Sequence, residues 1–226
     1  MKYTNIKKGI FVSRPNRFIA YVNIDGKDEV CHVKNTGRCR ELLIPGVEVF
    51  VEESDNPHRK TKYDLVSVMK GDKIFNIDSS APNKVFGEWA IDSGYFGNIT
   101  YFKPECQYRN SRFDFYIETE SDKIFVEVKG VTLEKEGVLM FPDAPTERGL
   151  KHIRELMQCV NDGYKAYAVF VIQTDKAKYF TPNKDTHPQF ALALKDAEKK
   201  GVNIIALNSY VSSDELCINE QVTVVL

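Results

Sequence analysis

The sequence predicts a mixed α+β chain, with a small β-barrel over residues 1–80 and an α/β domain over residues 81–226. Three observations predict it. The first 80 residues hold five short β-branched or aromatic runs separated by turn residues, with no convincing helix among them. The pattern changes near Ala81-Pro82-Asn83. Beyond that point, strand-like runs alternate with amphipathic helical ones, which calls for a mixed sheet sandwiched by helices.

The front runs are FIAYVNI (18–24), EVCHVKN (29–35), VEVFVEE (47–53), YDLVSVMK (63–70) and KIFNI (73–77). Asp25-Gly26, Asn35-Thr36-Gly37, Pro45-Gly46, Asn56-Pro57 and Gly71-Asp72 punctuate them as turns. Five such strands in so short a span suggest an OB-like barrel. A helix is expected over 83–93, with Val85, Trp89 and Ile91 apolar and Gly94 as its stop. Strands are expected at 99–107, 112–118, 123–133 and 137–141. The clearest helix follows: Thr146 caps it, Leu150, Ile153, Leu156, Met157 and Val160 form one face, and Gly163 ends it. AYAVFVIQ (166–173) is almost wholly apolar, as a strand buried on both faces should be. A helix over 187–201 and a strand VNIIAL (202–207) complete the pattern.

Composition narrows the function classes. Hydrophobic residues make up 42% and charged residues 28%, with both signs mixed, which argues against bulk disorder. No apolar run approaches the roughly 18–20 residues needed to span a bilayer. The N-terminus lacks an apolar signal core, so a cytoplasmic protein is expected. Five cysteines (Cys31, Cys39, Cys106, Cys159, Cys217) with no C-x-x-C read as reduced, packed thiols rather than zinc ligands or a disulfide framework. The net charge is −1, split as +3 over residues 1–80 and −4 over the remainder. That asymmetry is compatible with a nucleic-acid-binding front and a metal-binding back without requiring either.

The segment SRFDFYIETESDKIFVEVKGVTL (111–133) carries the chemistry. If Glu118 and Lys123 close its turn, Phe113 faces Val128, Phe115 faces Val126 and Ile117 faces Ile124, all on one side. Asp114 then stands opposite Glu127 on the other side, with Cβ atoms about 4.5–5.5 Å apart, and Lys129 projects from that same face. Two carboxylates so close repel by ~3 kcal/mol at an effective dielectric near 20, so unless one is protonated the pair asks for a cation. Mg²⁺ or Mn²⁺ suits carboxylate oxygens, and an ion with a lysine beside it is what phosphodiester hydrolysis needs. The plain alternative is a solvated strand face bearing an unremarked Glu-x-Lys. Glu88, on the first helix, is a further candidate for the metal's shell.

Asp114 followed by Glu127-Val128-Lys129 on successive strands, after a helix bearing Glu88, resembles the PD-(D/E)xK nuclease superfamily. More specifically, the chain resembles the sugar fermentation stimulation protein family. The matching stretches are RPNRFIAYV (14–22), CHVKNTGRCRELLIPG (31–46), NPHRKTKYDLV (56–66), PNKVFGEWAI (82–91), SRFDFYIE (111–118), FVEVKGVTL (125–133), FPDAPTERGLKHIRELM (141–157) and AYAVFVIQ (166–173). The resemblance implies an N-terminal OB-like domain, a C-terminal restriction-endonuclease-like PD-(D/E)xK domain and DNA binding. It also implies catalytic roles for Asp114, Glu127 and Lys129, with the first two holding the metal. Phe113 stands where the superfamily usually has proline.

Candidate nucleic-acid contacts are Arg14, Arg17, Arg38 and Arg40 in the first half, and Arg59, Lys60, Lys62 and Tyr63 around a basic loop whose tyrosine offers a stacking ring. Arg148, Lys151 and His152 on the helix capped by Thr146, the first and last of them i and i+4, are candidates to hold a phosphate. For each, the plain alternative is a solvated surface. The leading expectation is a Mg²⁺- or Mn²⁺-dependent nuclease acting on DNA, with RNA a second candidate and a homodimer a candidate assembly. The rival is a non-catalytic DNA-binding transcriptional regulator of sugar (maltose) metabolism.

Overall fold

The computed structural model describes residues 1–35 and 37–226, so part of the expected Asn35-Thr36-Gly37 turn lies outside the described residues. Six strands build the front: β1 (Ile6–Ser13), β2 (Ile19–Ile24), β3 (Lys27–Val33), β4 (Glu48–Glu53), β5 (Tyr63–Lys70) and β6 (Lys73–Asn76). Their order is β3-β2-β1-β4-β5-β6, and an extra β3–β5 pairing closes the first five into an OB barrel. Inward residues of all five strands (Phe11, Val22, Cys31, Val49, Val51, Leu65 and Val68) fill it. The sequence reading passed over β1. Its IKKGIFVS run buries only Gly9 and Phe11, so its apolar alternation is nearly silent. Gly9 is needed there: a Cβ would stand 2.5 Å from Val22 Cγ1 and 2.9 Å from the Asn23 carbonyl oxygen.

The back half is a six-stranded mixed sheet in the order β15-β14-β12-β9-β8-β7. Its strands are β7 (Ile99–Tyr108), β8 (Ser111–Thr119), β9 (Lys123–Val131), β12 (Lys165–Ile172), β14 (Asn203–Val211) and β15 (Leu216–Val222). β10 (Leu133–Lys135), β11 (Val138–Phe141) and β13 (Tyr179–Pro182) form a separate three-stranded sheet. β9, β12 and β14 run parallel, so they are covered on both faces and read as apolar runs. Helix α1 (Ala81–Asp92) covers one face through Val85, Phe86 and Ala90. Helices α2 (Glu147–Asn161) and α3 (Pro188–Lys199) cover the other. As expected, Thr146 caps α2, its hydroxyl accepting the Gly149 N–H at 3.0 Å. Ile91, expected on the apolar face of α1, is 59% exposed instead, because Val85, Phe86 and Trp89 already form that face. The strands β13 and β15 were also missed. No described helix is long and apolar enough to cross a membrane. Cys31, Cys39 and Cys159 are buried, and burial pushes their thiols up to about 12.

The barrel is tied to the sheet by buried polar contacts. The Asn76 N–H donates to the Gln173 carbonyl oxygen at 2.9 Å. Gln173 Nε2 donates to Asn76 Oδ1 at 2.9 Å and to the Asp78 carbonyl oxygen at 3.1 Å. Thr174 Oγ1 donates to the Ile74 carbonyl oxygen at 2.9 Å.

Candidate active site

β8 and β9 pair in the predicted register, with Glu118 opposite Lys123, Ile117 opposite Ile124 and Phe115 opposite Val126, and there the ladder ends. β9 stays hydrogen-bonded to β12 as far as Val131. The two strands of the hairpin therefore separate at a fork, and Asp114 and Glu127 stand at it. Asp114 is not the backbone-paired partner of Glu127. Its carboxylate instead crosses the fork, Oδ2 accepting the Val128 N–H at 2.7 Å and Oδ1 accepting Asn83 Nδ2 from α1 at 2.8 Å. The expected one-sided row also breaks. Phe115 and Ile117 pack under α1, whereas Phe113 packs on the α2 side against Phe125, with ring centroids 5.5 Å apart. The backbone is irregular at the same place: Glu105, on β7 between the partners of Phe113 and Phe115, has φ 52°.

Glu127 is 2% exposed. Its Oε1 accepts both Lys129 Nζ and His152 Nδ1, and its Oε2 is buried with no partner among the described residues. Burial pushes the Glu127 carboxyl up, but the His152 hydrogen bond and the Lys129 charge outweigh it and hold it below the ordinary glutamate range. Asp114 moves the other way. Burial and then the Glu127 charge raise its carboxyl, against the pull of Lys129, the Val128 N–H and Asn83. So the three predicted groups act on one another electrostatically, although α1 holds one acid and α2 the other.

A divalent cation fits this arrangement. An oxygen buried without a donor, beside a second carboxylate whose charge is disfavoured, is a site short of positive charge. Among the described residues no group of three His, Cys, Asp or Glu side chains forms a ligand set. Zinc would require such a set, whereas Mg²⁺ commonly binds one or two carboxylates and completes its shell with water and substrate phosphate.

Glu88 is not part of the fork. Its Oε2 accepts the Met1 ammonium at 2.8 Å, and the α1 residue that reaches Asp114 is Asn83, which sequence reasoning missed. His152, predicted as a phosphate contact, is 5% exposed and sits behind Glu127 with Phe113 against its ring. His152→Ala is expected to weaken divalent-metal affinity about 10–100-fold, as loss of a ligand's supporting partner does. The metal concentration giving half-maximal thermal stabilisation measures it, and an unchanged midpoint would contradict the assignment.

Four predicted arginines meet around one cavity of about 380 Å³ on the barrel: Arg14, Arg17, Arg38 and Arg40. Arg14 is not free for a ligand. Its guanidinium donates to the carbonyl oxygens of Asn35 (2.6 Å), Arg17 (2.8 Å), Gly37 (2.9 Å) and Arg38 (3.0 Å), clamping the loops. Arg17, Arg38 and Arg40 are exposed, and Arg17 lies 4.7 Å from the ring centre of the half-exposed Phe18.

The basic loop spends most of its charge internally. Arg59 grips the buried Asp64 with two hydrogen bonds (3.0 and 2.5 Å), Lys62 pairs with Glu53 at 2.8 Å, and Tyr63 is 4% exposed in the barrel core. Stacking by Tyr63 is thereby excluded, and Lys60 alone of the loop's cations stays exposed without a carboxylate partner among the described residues. Burial raises the Asp64 carboxyl, but the Arg59 hydrogen bonds and the Lys34 charge outweigh it and hold it below the ordinary range. A carboxylate lowered in this way stabilises the fold above its unfolded pKa near about 4 and loses that contribution as pH falls through the folded value. Arg59→Ala is therefore expected to destabilise by about 2 kcal/mol at neutral pH, since Lys34 and His32 remain beside Asp64. The difference from wild type should shrink below about pH 4. Urea unfolding across pH checks this; a pH-independent difference would contradict it.

Comparisons with known proteins agree with this architecture. The family model described as "Sugar fermentation stimulation protein RE domain" matches residues 80–215, and "SfsA N-terminal OB domain" matches residues 12–77. A "Sugar fermentation stimulation protein homolog" of Desulfitobacterium hafniense (strain DSM 10664 / DCB-2) is 62% identical over 100% of this chain and 99% of that protein. Its namesake in Clostridium beijerinckii (strain ATCC 51743 / NCIMB 8052) is 56% identical over 100% of both chains. The solved structure of Pyrococcus furiosus SfsA in complex with Ca²⁺ superposes with a TM-score of 0.92 at 31% identity, covering 100% of this chain and 98% of that one. With its barrel and its sheet each matched, the chain belongs to the sugar fermentation stimulation protein family.

Proposed function

We propose that this protein is a divalent-metal-dependent nuclease that binds DNA and hydrolyses its phosphodiester bonds, with Mg²⁺ or Mn²⁺ held by Asp114 and Glu127. The observation that carries the reading is the partnerless, buried Oε2 of Glu127 beside a second carboxylate at the β8–β9 fork. The Ca²⁺ complex of the P. furiosus relative supports it, because Ca²⁺ takes the same oxygen ligands as Mg²⁺.

Each side chain has a task in this reading. Asn83 and the Val128 N–H fix the Asp114 carboxylate. His152 holds Glu127 through Oε1, so Oε2 would be available to a metal ion. A bound divalent ion supplies Lewis acidity toward the phosphate and lowers the pKa of attacking water. Lys129, 19% exposed and on the Glu127 carboxylate, is placed to turn its ammonium to a phosphate oxygen as negative charge develops there. Arg17, Arg38 and Arg40 give the barrel a patch for backbone phosphates, which RNA presents as well as DNA.

The test is incubation of the purified protein with plasmid and single-stranded DNA in Mg²⁺ or Mn²⁺, beside Asp114→Ala and Lys129→Ala. Cleavage by the wild type and by neither variant is expected. EDTA or Ca²⁺ should abolish cleavage and leave DNA retention largely intact. Retention with no metal-dependent cleavage by the wild type would overturn the reading in favour of a non-catalytic regulator.

A further inference from the structure

Beside the fork, on the α2 side, lies a second cavity of about 540 Å³ whose walls include Ser111, Arg112, Arg148, Lys151 and His152. Three of these are cationic. Arg148 has no carboxylate partner among the described residues, and Arg112 reaches only the exposed Glu105, at 3.6 Å. Lys151 Nζ donates to the Asn110 carbonyl oxygen at 3.2 Å and stands 3.8 Å from Glu155. The one acid on the wall, Glu147, is 87% exposed and 3.6 Å from His187 Nε2. Ser111 is a separate sign of an absent partner: it is 7% exposed, and its hydroxyl is buried without a hydrogen bond among the described residues. The first turn of α2 adds its positive dipole end. An arginine without a partner, a lysine and a hydroxyl around one cavity suit a tetrahedral oxyanion. His152 is common to this wall and to the Glu127 carboxylate, so an anion held here lies next to the metal site.

We propose that this cavity binds the phosphate adjacent to the scissile one on a nucleic-acid strand, so that the site selects polynucleotides over isolated phosphodiesters. The assignment rests on the nuclease reading of the fork. Arg148 is the main anchor, with Lys151 and Ser111 completing the contact and Arg112 at the rim.

Two measurements test it. The first compares cleavage of an oligodeoxythymidylate with hydrolysis of bis(p-nitrophenyl) phosphate, which has no neighbouring phosphate, both in Mn²⁺. For Arg148→Ala the fall in kcat/KM on the oligonucleotide should exceed that on the small diester by about tenfold. Equal falls on both, or none on either, overturn the proposal. The second measures binding of the same oligonucleotide by fluorescence anisotropy in Ca²⁺, with no cleavage required. Arg148→Ala and Lys151→Ala should each weaken it about fivefold to tenfold and flatten the salt dependence by about one counterion. Unchanged affinity and slope overturn the proposal. If the wild type cleaves neither substrate, the nuclease reading has failed, and the binding measurement still decides the cavity.

Discussion

Asp114→Asn is expected to lower metal-dependent cleavage by about 10²–10³-fold while leaving the metal-free protein as stable as the wild type, or more so. Both halves follow from the fork. Burial and the neighbouring Glu127 disfavour the Asp114 charge, so removing it relieves the metal-free state. The asparagine keeps an oxygen for the Val128 N–H, and Asn83 can rotate its amide to offer an acceptor to the new NH₂. What is lost is half of the charge that attracts the cation. At a metal concentration about 100 times its Kd, the wild type should gain about 2.7 kcal/mol of stability, and the variant little of it. Thermal unfolding with and without Ca²⁺ reads this directly. An equal metal-induced shift in both proteins would remove Asp114 from the metal site, as would cleavage by the variant within about tenfold of wild type.

The second large effect is structural. Gly130→Ala is expected to destabilise by about 3 kcal/mol, which for a chain of this size is a fall in Tm of about 6–12 °C. A Cβ at Gly130 would stand 2.4 Å from Gln173 Oε1 and 2.8 Å from Pro82 Cγ. Gln173 is 2% exposed and cannot swing into solvent. Displacing it strains the core, and it weakens the Nε2 hydrogen bonds to Asn76 and Asp78 that join barrel to sheet, each worth about 1 kcal/mol. Gly130 directly follows Lys129, so the same clash should also disturb the fork. Denaturant midpoints measure the effect; a loss under about 1 kcal/mol would show that Gln173 and Pro82 yield without strain.

The hairpin was legible because its polar turn and its apolar residues agree on a single register, and the turn-proximal pairs stand as that register requires. The side of the sheet taken by Phe113 was not. With cores on both faces, an apolar residue at 113 is satisfied on either side, so alternation no longer reports orientation. The site's partners were illegible for a different reason. Asn83 meets Asp114 across 31 residues and His152 meets Glu127 across 25, separations on which local periodicity is silent. The basic loop misled because a run of cations shows nothing of its counterions. Glu53 comes to it by β-pairing, Asp64 lies five residues beyond Arg59 on the following strand, and that strand is buried without alternation from Tyr63 to Val68. The four arginines scattered through residues 14–40 converge because β2 and β3 pair antiparallel, which sets the segment before Ile19 beside the segment after Val33.

Anomalous diffraction at the manganese edge from crystals soaked in Mn²⁺ decides whether the fork holds a metal ion. An anomalous peak is expected at the β8–β9 fork beside Asp114 and Glu127, and none there in Asp114→Asn crystals. A fork without a peak under soaking conditions that support DNA cleavage, or a peak confined to other carboxylates such as Asp64 and Asp78, would contradict it.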